Sequence, residues 1–226
     1  MVKSESSDPG DRSDIEQVRG TIDLVVVVLL LFVGTVGIVS GFLVQTLANR
    51  DVIADLVAEE VIHSTILTDT QLIELVYGLL HWGGWGIVSA GLVILTGTAL
   101  FGVVRLRSYR RKQSAGSYFA DAVVGAVVTL VSSFVPFSPV IGGAVAGYLH
   151  RGSALQGAKI GVLVGVLVSV PVFVILGVTA AGLYVHEFAW MSFLLVLSGV
   201  VSVAFTVLFA TVGGYVGAYI RHDRRS

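Results

Sequence analysis

From Leu24 to Val44 the chain runs for 21 residues without a charge, and longer uncharged runs follow at Ile160–Tyr184 and Phe188–Ile220. A helix rises about 1.5 Å per residue, so the first run spans about 31 Å, close to the hydrocarbon thickness of a bilayer. Few folds suit such a chain. Composition agrees: 55% of residues are apolar and 13% charged, against about a quarter charged in a soluble domain. The bilayer is the relevant solvent, and a polytopic helical bundle is the fold class that follows.

Glycines recur every four residues inside these runs, at Gly37/Gly41, Gly143/Gly147, Gly157/Gly161/Gly165 and Gly213/Gly217. In water a glycine inside a helix costs about 1 kcal/mol relative to alanine. In lipid, helices have no hydrophobic reason to meet, and small residues at i, i+4 let their backbones approach closely. Gly142, Gly143, Gly147, Gly157, Gly161, Gly165, Gly213, Gly214 and Gly217 are therefore the helix-packing candidates. They describe construction and carry no reaction.

Residues 1–20 are polar and mixed in charge, and read as a disordered cytoplasmic tail to about Ile15. No small-residue cleavage site follows the first apolar run before Asn49-Arg50-Asp51, so that run reads as a retained anchor. Residues 49–81 hold six acids against one base. Their apolar positions keep a helical period in two sets, Val52–Ile62 and Leu72–Leu80, which predicts two amphipathic helices outside the span. Thr68 with Gln71 forms a capping-box pattern, and His81, Trp82 and Trp85 mark a membrane interface.

Gly86–Val104 is the second expected span. Arg105, Arg107, Arg110, Arg111 and Lys112 close it, and the positive-inside rule assigns them to the cytoplasm. The N-terminal region thus covers 21–112, with the 49–81 segment external. Tyr118–Val135 is a third span, interrupted at Pro136 and Pro139, which remove donors and clash with the preceding turn. Val140–Leu149 is too short to cross, at about 15 Å.

Either the prolines kink one long helix, or they turn the chain back into a hairpin with a short return arm. Charge favours the hairpin, because it keeps Arg151, Lys159, Arg221, Arg224 and Arg225 on the cytoplasmic side. Ile160–Tyr184, with Pro171 as a kink, and the segment from Phe188 to Ile220 complete five full spans plus one short return segment, with both termini cytoplasmic. Ile141–His150 also echoes Val212–Arg221, displaced by 71 residues. Each carries a glycine pair, a tyrosine five residues on and a terminal base.

The stretch Phe134-Val135-Pro136-Phe137-Ser138-Pro139-Val140-Ile141-Gly142-Gly143-Ala144-Val145-Ala146-Gly147-Tyr148-Leu149 resembles a family of small membrane proteins of salt-loving archaea. Gly157-Ala158-Lys159-Ile160-Gly161 and Gly213-Gly214-Tyr215-Val216-Gly217-Ala218-Tyr219 share in that resemblance. It covers about residues 118–222 and implies a four-segment helical membrane domain without an assigned function. It transfers no catalytic or binding residue. Eleven Arg against three Lys, with acidic polar segments, fits the same high-salt source.

Candidate chemistry is sparse. The chain has no cysteine, which excludes disulfides and thiolate sites. Its net charge of −1 argues against a nucleic-acid partner. Asp23 and Asp121 stand at cytoplasmic span starts, where a carboxylate favours the helix dipole. Glu187 and Lys159 stand at span ends. Of the five histidines, only His63, beside Glu59 and Glu60, suggests a metal, and a solvated polar face explains it better. Ser132, Ser133 and Ser138 have no evident activating base.

The expectation is a multi-pass protein of the cell membrane, non-enzymatic and without cofactor or metal. It would act as a scaffold or interaction protein whose partners are the lipid bilayer and a second copy or another membrane protein. The alternative is a small channel or transporter using the Pro136–Gly147 hairpin.

Overall fold

A computed structural model describes the backbone of residues 9–111, 117–150 and 152–223, and the side chains of 20–103, 118–150 and 152–223. The first eight residues and the basic side chains at 105–112, Arg151, Arg224 and Arg225 lie outside the described residues. Seven helices and no strand make up the described chain: α1 (Pro9–Leu47), α2 (Arg50–Ala58), α3 (Asp69–Arg111), α4 (Ser117–Val131), α5 (Ser138–Leu149), α6 (Ala154–Val185) and α7 (Ala189–Asp223). Four of them, α1, α3, α6 and α7, are long and apolar enough to cross a membrane.

Three boundaries differ from the sequence reading. α1 begins at Pro9, inside the segment expected to be disordered. Once the apolar run is helical, each added residue gains a hydrogen bond without a new nucleus, and a proline suits the first turn. The second amphipathic set, Leu72–Leu80, is not a separate helix but the opening of the 43-residue α3. No proline separates it from the span. The expected capping box does start that helix, with Thr68 N–H to Gln71 Oε1 at 3.1 Å and Gln71 N–H to Thr68 Oγ1 at 3.4 Å.

The third difference concerns the hairpin. The segment expected as a full span over 118–135 is helical only to Val131, and α4 has 15 residues. That is about 22 Å, short of a 30 Å core. Val135 is held off helical geometry by Pro136, and Ser132 turns its hydroxyl onto the Val128 carbonyl at 2.6 Å. The 12-residue α5 is shorter still.

Neighbouring glycines give the helix directions. Gly34 lies beside Gly91 and Leu95, and Gly41 beside Gly84 and Val88, so α1 and α3 are antiparallel. Gly86 faces Ile175 and Gly182 lies under the Trp82 indole, so α3 and α6 are antiparallel. Gly157 meets Gly214, Gly161 meets Ala210 and Gly165 meets Val207, so α6 and α7 are antiparallel too. The N-terminal end of α1 and the C-terminal end of α7 therefore share one end of the bundle. It also carries Lys159 and Arg221 and is termed the basic end; Trp82 and Trp190 mark the opposite, aromatic end.

α4 and α5 form a hairpin rather than one kinked helix. Gly125 lies against Gly142 and Ala146, Gly142 against Thr129, and Asp121 against His150. α5 packs most extensively on α7 and also touches α4 and α6. Its buried contacts join Ala122, Ala146, Ile160, Val164 and Ala210 in one core. A second core of Val26, Phe101, Ala120, Val123 and Val127 ties α1 and α3 to α4.

Two glycines separate packing from propensity. A Cβ on Gly147 would overlap the Gly214 carbonyl, whereas one on Gly177 meets nothing within 4 Å. Gly147→Ala is expected to destabilise the protein by about 1–3 kcal/mol, as overpacking does. Gly177→Ala should be neutral or stabilise by up to about 1 kcal/mol. Reversible unfolding in mixed micelles measures both.

Candidate functional site

The hairpin and its seam with α7 gather most of the residues singled out by sequence. Pro136 and Pro139 bracket a turn in which Phe137 adopts φ 66° and ψ 23°, the left-handed region. For a residue with a Cβ this conformation costs about 1–2 kcal/mol. Pro139 stands in the first turn of α5, where a missing N–H leaves no helical bond unmade. The Phe137 ring meets Phe209 of α7 edge-on at 5.5 Å, and Phe209 stacks with Phe205 at 6.1 Å.

Along the seam, backbone meets backbone. A Cβ on Gly143 would collide with the Ala210 carbonyl, one on Gly147 with Gly214, one on Gly213 with Val140 and one on Gly217 with Ala144. The partner numbers rise together, so α5 and α7 run parallel. The two halves of the 71-residue echo therefore pack on each other. Gly161 and Gly157 of α6 approach the same Ala210 and Gly214 carbonyls, Gly165 lies against Val207, and Gly214 faces the Gly157 carbonyl. Gly142 points the other way, onto Thr129 of α4. Each of the nine packing glycines meets a neighbouring helix at this distance.

The hairpin closes at its basic end. His150 Nδ1 lies 3.2 Å from Asp121 Oδ2, with both side chains about four-fifths buried, and Tyr118 meets the imidazole edge-on at 5.3 Å. Arg221 donates to the Tyr148 and Leu149 carbonyls and lies 5.5 Å from the Tyr148 ring centroid. A cation there satisfies the last carbonyls of α5 and favours its dipole. These contacts were not expected from sequence, although the echo placed His150 and Arg221 in matching positions.

The carboxylates need correction. Asp23 stands 14 residues inside α1 rather than at a helix start, too far from the terminus for a dipole effect. Asp121 lies past the first turn of α4, and His150 is its nearer explanation. Ser153 and Gln156 form a full capping box at the start of α6, for which the Ser-x-x-Gln spacing is the sequence signal.

The hydroxyls at the turn serve their own helices. Thr129 Oγ1 bonds the Gly125 carbonyl at 3.0 Å and Ser132 Oγ that of Val128 at 2.6 Å. His150 stands at the opposite end of α5 from Ser138, about 18 Å away along the helix. Among the described residues, no three His, Asp or Glu side chains are grouped to hold a metal ion. Elsewhere, Arg50 pairs with Glu74 at 3.0 Å and lies over Tyr77, fastening α2 to α3. A cleft of about 250 Å³ opens between α1 and α4, lined by Thr21, Val25, Leu29, Val124 and Val128 among others. It does not reach α5.

Fold and apolar surface together define an all-helical, multi-pass membrane protein. Within it, residues 119–220, covering nearly all of α4 to α7, match a family of unknown function, DUF5518. Neither a search of curated proteins nor one of solved structures found a match to the chain.

The closure at the basic end makes a modest contribution. Asp121→Asn should lower stability by about 1 kcal/mol, within the range of partly exposed ion pairs. Unfolding of the variant with and without His150→Ala would show coupling only if the two side chains act as a pair.

Proposed function

We propose that this chain is a non-enzymatic scaffold or interaction protein of the cell membrane, with both termini in the cytoplasm. The observation behind this reading is the filling of the α5 seam by carbonyl oxygens seated against glycines of the facing helix. Packed in this way, the glycine face of α5 leaves no gap for a solute path between α5 and α7. A rigid glycine-packed core is what a membrane protein needs when its lipid-facing or partner-facing surface does the work.

The topology we infer is four spans plus a hairpin. The arms of α4 and α5 are each too short to cross, so the hairpin enters from the cytoplasmic side and returns to it. The five bases at 105–112, with Lys159 and Arg221, support a cytoplasmic basic end by the positive-inside rule. The acidic 49–81 segment then faces outward. The competing reading is a small channel, and it draws on the irregular backbone between α4 and α5.

Two experiments test the proposal. Purified protein in liposomes should pass ions and small solutes no faster than protein-free vesicles; protein-dependent flux would favour the channel. Single cysteines replacing Ile66, Gln113, Ala154 and Glu187 in this cysteine-free chain should react with an impermeant reagent from outside at 66 and 187 only. Outside labelling at 154 would overturn the topology.

A further inference from the structure

The cleft between α1 and α4 is an apolar slot with one end at a charged interface. Ile22, Val25 and Leu29 of α1 line it with Val124, Val127 and Val128 of α4, and Thr21 brings the one side-chain hydroxyl, at its outer end. Among helix pairs that meet, α1 and α4 touch least. Thr21 to Leu29 is about 12 Å of helix, most of one leaflet of a hydrocarbon core about 30 Å thick. Spread over that length, the cleft's 250 Å³ gives a mean cross-section of about 20 Å².

Neighbouring contacts fix its depth. Val26 shares a core with Phe101 of α3 and with Ala120 and Val123 of α4. Thr21, a little over one turn before Val26, therefore stands level with the start of α4, at the basic end. The antiparallel register sets Gly34 of α1 against Gly91 of α3, and Gly41 against Gly84. Continued along α3, it brings positions 105 and 107 level with about Ile22 and Gly20. Position 105 also follows Phe101 by one turn, on the face of α3 that meets α1 and α4. The mouth of the cleft is thus level with the helical positions of Arg105 and Arg107, with Arg19 close by on α1 and Arg110 and Arg111 a turn further out. The acids at these levels are Glu16, Asp23 and Asp121, and Asp121 already pairs with His150. Bases prevail there.

Size and chemistry select the occupant. Water needs several polar partners, and below Thr21 the lining side chains are hydrocarbon. A transmembrane helix is about 10 Å across, several times the section of the slot, and a side chain from such a helix would fill one turn of it. A single hydrocarbon chain matches both section and length, and the bases at the mouth match an anionic headgroup. We propose that the cleft seats one chain of an anionic membrane lipid whose phosphate lies at the arginine-bearing end of α3. The lipid then fills the gap between α1 and α4 and joins the N-terminal pair of spans to the region 119–220. This site requires only that the basic end lie at a membrane surface, and it stands apart from the choice between scaffold and channel.

Native mass spectrometry of the full chain in mild detergent, mixed with phosphatidylglycerol or with phosphatidylcholine of the same chains, reads the binding. One phosphatidylglycerol should be retained per chain. The double variant Arg105→Gln, Arg107→Gln should bind it about 25-fold more weakly, at roughly a factor of five per base. Val25→Trp, which fills the slot from an exposed position, should abolish retention, and Val36→Trp, exposed outside it, should not. In liposomes of the unaltered protein, phosphatidylglycerol with a photoreactive group in its chain should label residues 21–29 and 124–128. Equal retention of phosphatidylcholine, unchanged retention by Val25→Trp, displacement by free glycerol phosphate, or photolabelling confined to other segments overturns the proposal. If Val25→Trp does not fold, the photolabelling decides alone. Liposome flux, which tests the scaffold reading, is read separately from all of these.

Discussion

In hydrocarbon, two helices gain nothing by hiding apolar side chains from their surroundings, because lipid tails are as apolar as leucine. What they can gain is contact at short range, and the backbone is closest where no Cβ intervenes. α5, α6 and α7 meet in this way, with carbonyls of Val140, Ala144, Ala210 and Gly214 against glycines of facing helices. The rest of the region 119–220 depends on that geometry. A 12-residue helix such as α5 has too little surface to hold its place by ordinary side-chain contact. Wedged between α4, α6 and α7, it becomes part of the core.

The close approach also orders the ends of the hairpin. With α5 parallel to α7, Arg221 falls beside the last carbonyls of α5, and His150 falls beside Asp121 on the antiparallel α4. Both polar contacts gather at the basic end, where charged groups keep access to water. The opposite end of the hairpin has no such outlet. It meets α7 through the rings of Phe137 and Phe209.

Much of this architecture was legible in the sequence. Uncharged run length located α1, α6 and α7, since only helices of that length match a bilayer. Charge placement chose the hairpin over the kinked helix, because a basic residue follows each arm that returns inward. The continuous α3 was less legible: the acids at Asp69 and Glu74 look like an amphipathic surface helix until tertiary packing extends the span through them. Asp23 misled for a related reason, as helix propagation from the apolar run moved the true N-terminus back to Pro9. Long-range pairs such as Asp121–His150 depend on helix register, which no local pattern encodes. Phe137 in a left-handed conformation carries no sequence signal either, since glycine or asparagine is the usual occupant.

The arrangement rests on the chain reversing at Pro136–Pro139 so that α5 lies parallel to α7. Spin labels on cysteines replacing Tyr148 and Tyr219, both exposed and near the basic end, measure this in lipid. Packed helices lie about 8–10 Å apart, and with label linkers the account predicts a single distance below roughly 20 Å. One continuous kinked helix would carry position 148 across the membrane, and a distance beyond about 30 Å, the hydrocarbon thickness, would contradict it.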